Sequence, residues 1–203
     1  MNKVILCSLW SIVLAVGCGG STVGGSGSGG EGGSGGSATT STLPAECAVQ
    51  TEESAPHSLT FRFKGTGPTA VFLREDCQLR YTVTSCGDGY QEGLVLTGQC
   101  TIDCSQQNEC IQCGACLQEG IPIGPGGFAE HAWAGKTYTF DENNVGCTCH
   151  MEHVAPAGKY RITVPLYATE EDALAGGTPA GEVSTDFELP TPGGVVEVPV
   201  FLP

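Results

Sequence analysis

The sequence has little positive charge. Among its 203 residues, 8 are Lys or Arg and 22 are Asp or Glu, which gives a net charge of −14 at pH 7. Nucleic acids and anionic lipid headgroups attract proteins through clustered Lys and Arg side chains, so neither is expected as an electrostatic partner. The acidic residues are scattered along the chain, and this distribution indicates that they lie on the solvated surface of the protein and keep it soluble.

The sequence also has no apolar segment long enough to cross a membrane. Its longest apolar stretch covers residues 4–16, whereas a helix that spans the hydrocarbon core needs about 20 residues. Lys3 precedes this stretch, and small residues follow it. That order is typical of a secretory signal peptide, which we assign to residues 1–17.

Local catalytic motifs are missing as well. Residues 43–203 contain no Gly-x-Ser-x-Gly elbow, and the chain has neither a His-Glu-x-x-His motif nor a Walker-type phosphate loop. We therefore expect a protein that is not an enzyme and holds no cofactor. An extracytoplasmic hydrolase is the third alternative, because a triad built from distant residues leaves no local motif.

The apolar stretch ends in Leu14-Ala15-Val16-Gly17-Cys18. This segment resembles the lipobox of bacterial lipoprotein precursors, although the family has Leu where this chain has Ala15. The resemblance implies cleavage before Cys18 and attachment to the membrane through lipid on Cys18. The same small residues also fit an ordinary signal peptidase site, which would release a soluble secreted protein.

A glycine-rich tract follows the cysteine. Residues 18–42 are mostly Gly and Ser, so they predict a flexible tether with a reach of about 25–30 Å. Gly19 stands where an aspartate would retain an enterobacterial lipoprotein in the inner membrane. The resemblance therefore implies a lipid anchor in the outer membrane of a bacterial cell envelope.

The cysteine count favours disulfides. Of the 12 cysteines, Cys7 is removed with the signal peptide and Cys18 takes the lipid, so an even number of ten remains. An even set pairs completely in an oxidising compartment, while the connectivity stays open at this point. The disulfide candidates are Cys47, Cys77, Cys86, Cys100, Cys104, Cys110, Cys113, Cys116, Cys147 and Cys149.

Residues 43–203 show the alternation of apolar and polar residues that predicts β-strands. The predicted strands cover residues 59–63, 70–73, 79–84, 136–140, 160–166, 183–189 and 196–202, with one possible helical turn at 170–175. The second and third of these suggest a hairpin, and Pro165 and Pro199 suggest edge strands or bulges. The fold class is all-β: an Ig-like or fibronectin-like β-sandwich with a long, disulfide-stapled, cysteine-rich insertion at about residues 86–127.

Two cysteine clusters contain residues that are able to bind a metal. Cys110, Cys113 and Cys116 resemble the start of a bacterial ferredoxin cluster motif, but the fourth cysteine of that motif is missing. Cys147, Cys149, His150 and His153 offer sulfur and imidazole ligands for Cu or Zn. In an extended segment the two cysteines face away from His150, so disulfide staples are favoured for both clusters.

The leading hypothesis is a non-enzymatic binding or structural module, displayed on a tether at the cell envelope. Its partner is a protein or a glycan of the envelope, and a long tether suits a module that must reach such a partner. The alternative is an envelope protein that binds Cu or Zn through residues 147–153. His131, beside Trp133, is interpreted as a packing or surface residue.

Overall fold

The computed structural model describes residues 43–106 and 108–203. The predicted signal peptide, Cys18 and the tether of residues 18–42 lie outside the described residues. The described part is mostly β, with one short α-helix, as the alternation predicted. No helix in this part of the chain is long and apolar enough to cross a membrane.

The regular elements follow one another along the chain with short connections, except in the cysteine-rich segment. Helix α1 covers Glu170–Ala175, and two short 3-10 helices cover Cys86–Asp88 and Pro192–Gly194. The strands of the described residues are β1 (Leu59–Gly65), β2 (Val71–Asp76), β3 (Thr82–Ser85), β4 (Ile102–Asp103), β5 (Gln118–Ile123), β6 (Phe128–Trp133), β7 (Lys136–Glu142), β8 (Thr148–Val154), β9 (Gly158–Leu166), β10 (Gly181–Leu189) and β11 (Val195–Val200).

These strands form four small sheets. The first has the order β11-β1-β6, with β11 parallel and β6 antiparallel to β1. The second has the order β10-β9-β3 and is antiparallel throughout. The third pairs β2 with β5, and the fourth has the order β4-β8-β7.

The first three sheets contribute to one hydrophobic core. On β1 every second side chain is buried, and on β9 five alternating residues face inward. Phe61 is 0% exposed and packs against four aromatic rings, with centroid distances of 5.3 Å to Tyr81, 5.3 Å to Phe187, 6.2 Å to Trp133 and 6.5 Å to Phe63. The core therefore depends on residues from strands that are far apart in sequence.

Two details of the predicted pairing differ in the structure. The expected hairpin is present only at its turn, where Glu75 bridges Leu79 and Arg80 N–H donates to the Arg74 carbonyl, because β2 then pairs with β5 and β3 pairs with β9. Pro199 lies on an edge strand as predicted, but Pro165 belongs to the central strand β9. Pro165 is tolerated there because β3 begins opposite Thr163, so no residue of β3 lies opposite Pro165.

The predicted insertion at about residues 86–127 contains two strands that the sequence analysis did not predict. Strand β5 lies inside this range and pairs with β2 over six residues, from Val71↔Ile123 to Asp76↔Gln118. Strand β4 also lies there and pairs with β8 in parallel. The irregular part of the insertion therefore ends at Leu117. The short helix is where it was expected, capped by the Thr169 side chain, which accepts from the Asp172 N–H.

Candidate binding groove

The structure joins all ten predicted cysteines into five disulfides. Their Cα–Cα distances run from 4.9 Å to 5.7 Å, the separation expected for this crosslink. The pairs are Cys47–Cys86, Cys77–Cys116, Cys100–Cys113, Cys104–Cys149 and Cys110–Cys147. The sequence predicted the set of residues but left these partners open.

The disulfides take the place of secondary structure in the cysteine-rich segment. Residues 108–117 form no strand and no helix, and all of them are exposed. Three disulfides hold this short stretch, one each from Cys110, Cys113 and Cys116. The crosslink of Cys116 to Cys77 lies just beyond the last paired residues of β2 and β5. The loop is thus fixed covalently to the framework, although it buries little apolar surface.

The four residues of the metal hypothesis do not meet as a ligand set. Both sulfurs are engaged in disulfides, Cys147 with Cys110 and Cys149 with Cys104, so neither is a thiolate. His150 Nδ1 lies 2.9 Å from Thr101 Oγ1, whereas His153 Nε2 lies 2.8 Å from Thr139 Oγ1. The two imidazoles stand three positions apart on β8 and so face opposite sides of the sheet.

A second cluster, Asp76, Cys77 and Cys116, brings potential ligand atoms within 4.8 Å of one another. Its two sulfurs form a disulfide with each other. Its carboxylate accepts from Arg80 Nη2 at 2.8 Å, and Arg74 lies 3.7 Å away. The hydrogen bond from Arg80 is the main reason that the pKa of Asp76 is lowered, and both arginines add charge attraction. This cluster is an ion pair beside a disulfide.

The described residues form a groove with a volume of about 940 Å³. Three segments form its walls: residues 76–81, residues 94–97 and residues 131–134. The disulfides Cys77–Cys116 and Cys100–Cys113 close one side. Side chains of successive residues point to opposite faces of a strand, so the consecutive lining residues 131–133 of β6 contribute backbone as well as side-chain atoms.

Two neutral polar side chains meet inside the groove. Tyr81 Oη lies 2.8 Å from His131 Nδ1, and the rings are arranged edge to face with a centroid distance of 5.4 Å. Burial raises the pKa of Tyr81. Burial lowers the pKa of His131, and the nearby Glu75 carboxylate opposes that shift. The pair is therefore uncharged at pH 7, and the only charged residues in the described walls are Asp76 and Arg80, which neutralise each other.

Sequence reasoning placed His131 at the surface or in packing and did not find the groove. The structure brings His131 together with Tyr81 from a position 50 residues earlier. The alternation in residues 79–84 marked Tyr81 as an inward residue, but nothing local showed which histidine it would meet. Comparison with protein-family models, curated proteins and solved structures gives no match to this chain. The assignment of a site therefore rests on its geometry.

Proposed function

We propose that the protein is a lipid-anchored binding module of the bacterial cell envelope, displayed on a flexible tether, with the groove as its binding site. The proposal is non-enzymatic. The groove walls are backbone edges, aliphatic side chains and a neutral Tyr–His pair, which are groups that recognise a partner. The tether of residues 18–42 would extend the reach of this site from the membrane by about 25–30 Å.

The observation that carries the proposal is the covalent fixing of the groove wall. Two of the five disulfides lie directly in the lining, at Cys77–Cys116 and Cys100–Cys113. A wall that is held in place before a partner arrives pays less ordering entropy on binding. The position of these two disulfides in the groove lining is the arrangement expected of a preformed binding site.

The five disulfides indicate an extracytoplasmic, oxidising location. The lipid anchor at Cys18 and the placement in the outer membrane are part of the proposal, as is an Ig-like or fibronectin-like β-sandwich. The sandwich is supported by the shared core, in which alternate side chains of β1 and β9 face inward from different sheets.

We expect the mature protein from its native envelope to carry diacylglycerol and an acyl chain on Cys18 and five disulfides. The protein is extracted without lipase, and its intact mass is measured before and after reduction and alkylation. The first mass reports the lipid, and the mass added by alkylation reports the number of disulfides. Reduction should add ten alkylation sites, because the lipidated cysteine is blocked. A mass without lipid, together with an eleventh alkylation site at Cys18 after reduction, would contradict the anchor and leave a soluble secreted protein.

We expect a photo-reactive amino acid at Thr97, in the groove wall, to form an adduct with a partner in intact cells. The same group at Glu182, exposed on β10, is the matched control and should give no adduct. Deleting residues 19–42 should lower the yield at Thr97, because the site would then stay close to the membrane. Equal adducts at both positions, or none at Thr97, would contradict a groove that binds a partner.

A further inference from the structure

Strand β6 has a free edge. Gly65 N–H donates to the Gly127 carbonyl at 2.9 Å, and this bond flanks Lys64↔Phe128, which is therefore a non-hydrogen-bonded pair of the β1–β6 ladder. Hydrogen-bonded and non-bonded pairs alternate in an antiparallel ladder. Counting along the register, the N–H and C=O groups that point away from β1 belong to Phe128, Glu130 and Ala132. Within residues 43–106 and 108–203, no backbone group bonds to that edge.

The end of this free edge forms a wall of the groove. Residues 131–134 are consecutive and all line it, so backbone atoms at the end of β6, as well as the His131 side chain, border the space. The segment 94–97 stands on another wall, and its Leu94 N–H and Val95 carbonyl already bond to Val83 and Tyr138. The unsatisfied donors and acceptors of Ala132 therefore face a space that is open to a second chain.

We propose that the groove binds an extended, positively charged polypeptide segment, which adds to the free edge of β6 as a further strand. This inference rests on the proposed function and specifies the partner of the same site. Strand addition of this kind takes its affinity from main-chain hydrogen bonds and its specificity from alternate side chains. A row of outward N–H and C=O groups matches the spacing of the same groups in an extended polypeptide backbone, and it fits no other common ligand equally well.

Charge complementarity selects a cationic segment. Lys3 and Glu31 are the only charged residues before position 43, so the net charge of −14 belongs to residues 43–203. Within the groove Asp76 and Arg80 cancel, and the Tyr81–His131 pair is neutral. A positive segment thus approaches an attractive field and meets no buried cation of the same sign.

The aromatic residues of the groove argue against a glycan. Trp133 is 3% exposed, stacks on Phe61 at 6.2 Å and donates its indole N–H to the Lys136 carbonyl. Tyr81 packs against Phe61 at 5.3 Å and bonds to His131. Both rings are committed to the core, so they do not offer a flat exposed platform. The polypeptide is therefore the partner that the exposed groups of the groove fit.

The test uses the mature protein and a synthetic probe, the capped peptide (Lys-Val)4. We expect amide hydrogen exchange to slow at Glu130 and Ala132, by about tenfold at a peptide concentration about ten times its Kd. The same peptide with N-methyl groups on every residue keeps the charge and the side chains but has no N–H donor on either edge. It should not slow exchange, and (Glu-Val)4 should bind at least about tenfold more weakly.

The chain offers a matched pair of variants at the edge. Ala132→Pro removes the outward N–H and leaves the bonds to β1 in place, so it should abolish the slowing at Glu130. Ala132→Thr keeps the N–H and should bind the probe as the native chain does. The probe experiments with N-methyl peptide do not depend on whether Ala132→Pro folds.

The outcomes separate this inference from the proposed function. Equal binding of the N-methylated peptide, or protection confined to residues 94–97, would overturn strand addition while the adduct at Thr97 still supported a binding groove. Self-association that is lost in Ala132→Pro would assign the edge to a second copy of this chain and also overturn the proposal. No probe binding and no adduct at Thr97 would overturn both.

Discussion

Replacing Phe61 by alanine is expected to lower the free energy of unfolding by about 3–5 kcal/mol. Phe61 is 0% exposed, and its ring packs against Phe63, Tyr81, Trp133 and Phe187. Alanine removes apolar contacts and leaves a cavity that residues on paired strands cannot fill. Denaturant unfolding of the oxidised protein, followed by circular dichroism, measures the loss.

The control is Phe128→Ala on β6. Phe128 is 61% exposed, and its ring contacts the Arg62 guanidinium at 5.4 Å, so the change should cost less than about 1 kcal/mol. The two substitutions remove the same atoms from different surroundings. Similar losses for both would show that the aromatic cluster around Phe61 is not the centre of the core.

The second large effect concerns the disulfide between Cys104 and Cys149. We expect the double substitution to serine to cost about 4 kcal/mol, because this bond closes a separation of 45 residues and constrains the unfolded chain. Cys149 is 1% exposed, so a serine hydroxyl there would also be buried without an assured partner. Denaturant unfolding with the other four disulfides verified by mass measures the effect.

The matched control removes the disulfide between Cys100 and Cys113. Its separation is 13 residues and both cysteines are exposed, so the expected loss is about 3 kcal/mol or less. This bond lines the groove, so its removal should raise the Kd of the (Lys-Val)4 peptide by a larger free energy than it takes from the free energy of unfolding. Greater stability loss here than for Cys104 and Cys149 would contradict the ranking by separation and burial.

The strands that the sequence revealed are those in which one face is buried. Along β9 the residues Tyr160, Ile162 and Val164 alternate with polar neighbours, and the alternation is itself the signal. Strand β5 was missed because its sequence contains Gly120 and Pro122 and has little intrinsic β-propensity. It becomes a strand because β2 lies beside it and Cys77–Cys116 holds its start.

Strand β8 was missed for a different reason. Its Cys149, His150 and His153 were read as possible ligands or as loop residues, and most of its side chains are exposed, so no apolar alternation marks it. Its partners are β7 and, in parallel, β4, which is separated from it by more than forty residues. Pairing and crosslinking at that distance leave no local pattern.

The groove itself was beyond sequence reasoning because backbone edges build it. Amino-acid type says little about which edge of a strand stays unpaired, and the segments around Tyr81, Leu94 and His131 meet only in the fold. Parity predicted that the cysteines would pair, but not that two of the bonds would line the same groove as His131. The residues that could have been identified early are Tyr81, from its alternation, and Trp133.

The disulfide between Cys47 and Cys86 has a mechanical consequence. Leu43 packs beside Gly87 and Gly158, and the Cys47 carbonyl accepts from the Lys159 N–H at 3.1 Å. A pull on the chain at Leu43 therefore passes through a covalent bond to the end of β3 and bypasses residues 48–58, which precede β1. Tension from an anchored N-terminus would load the end of β3, an edge strand of the second sheet, and would not peel β1 from its end.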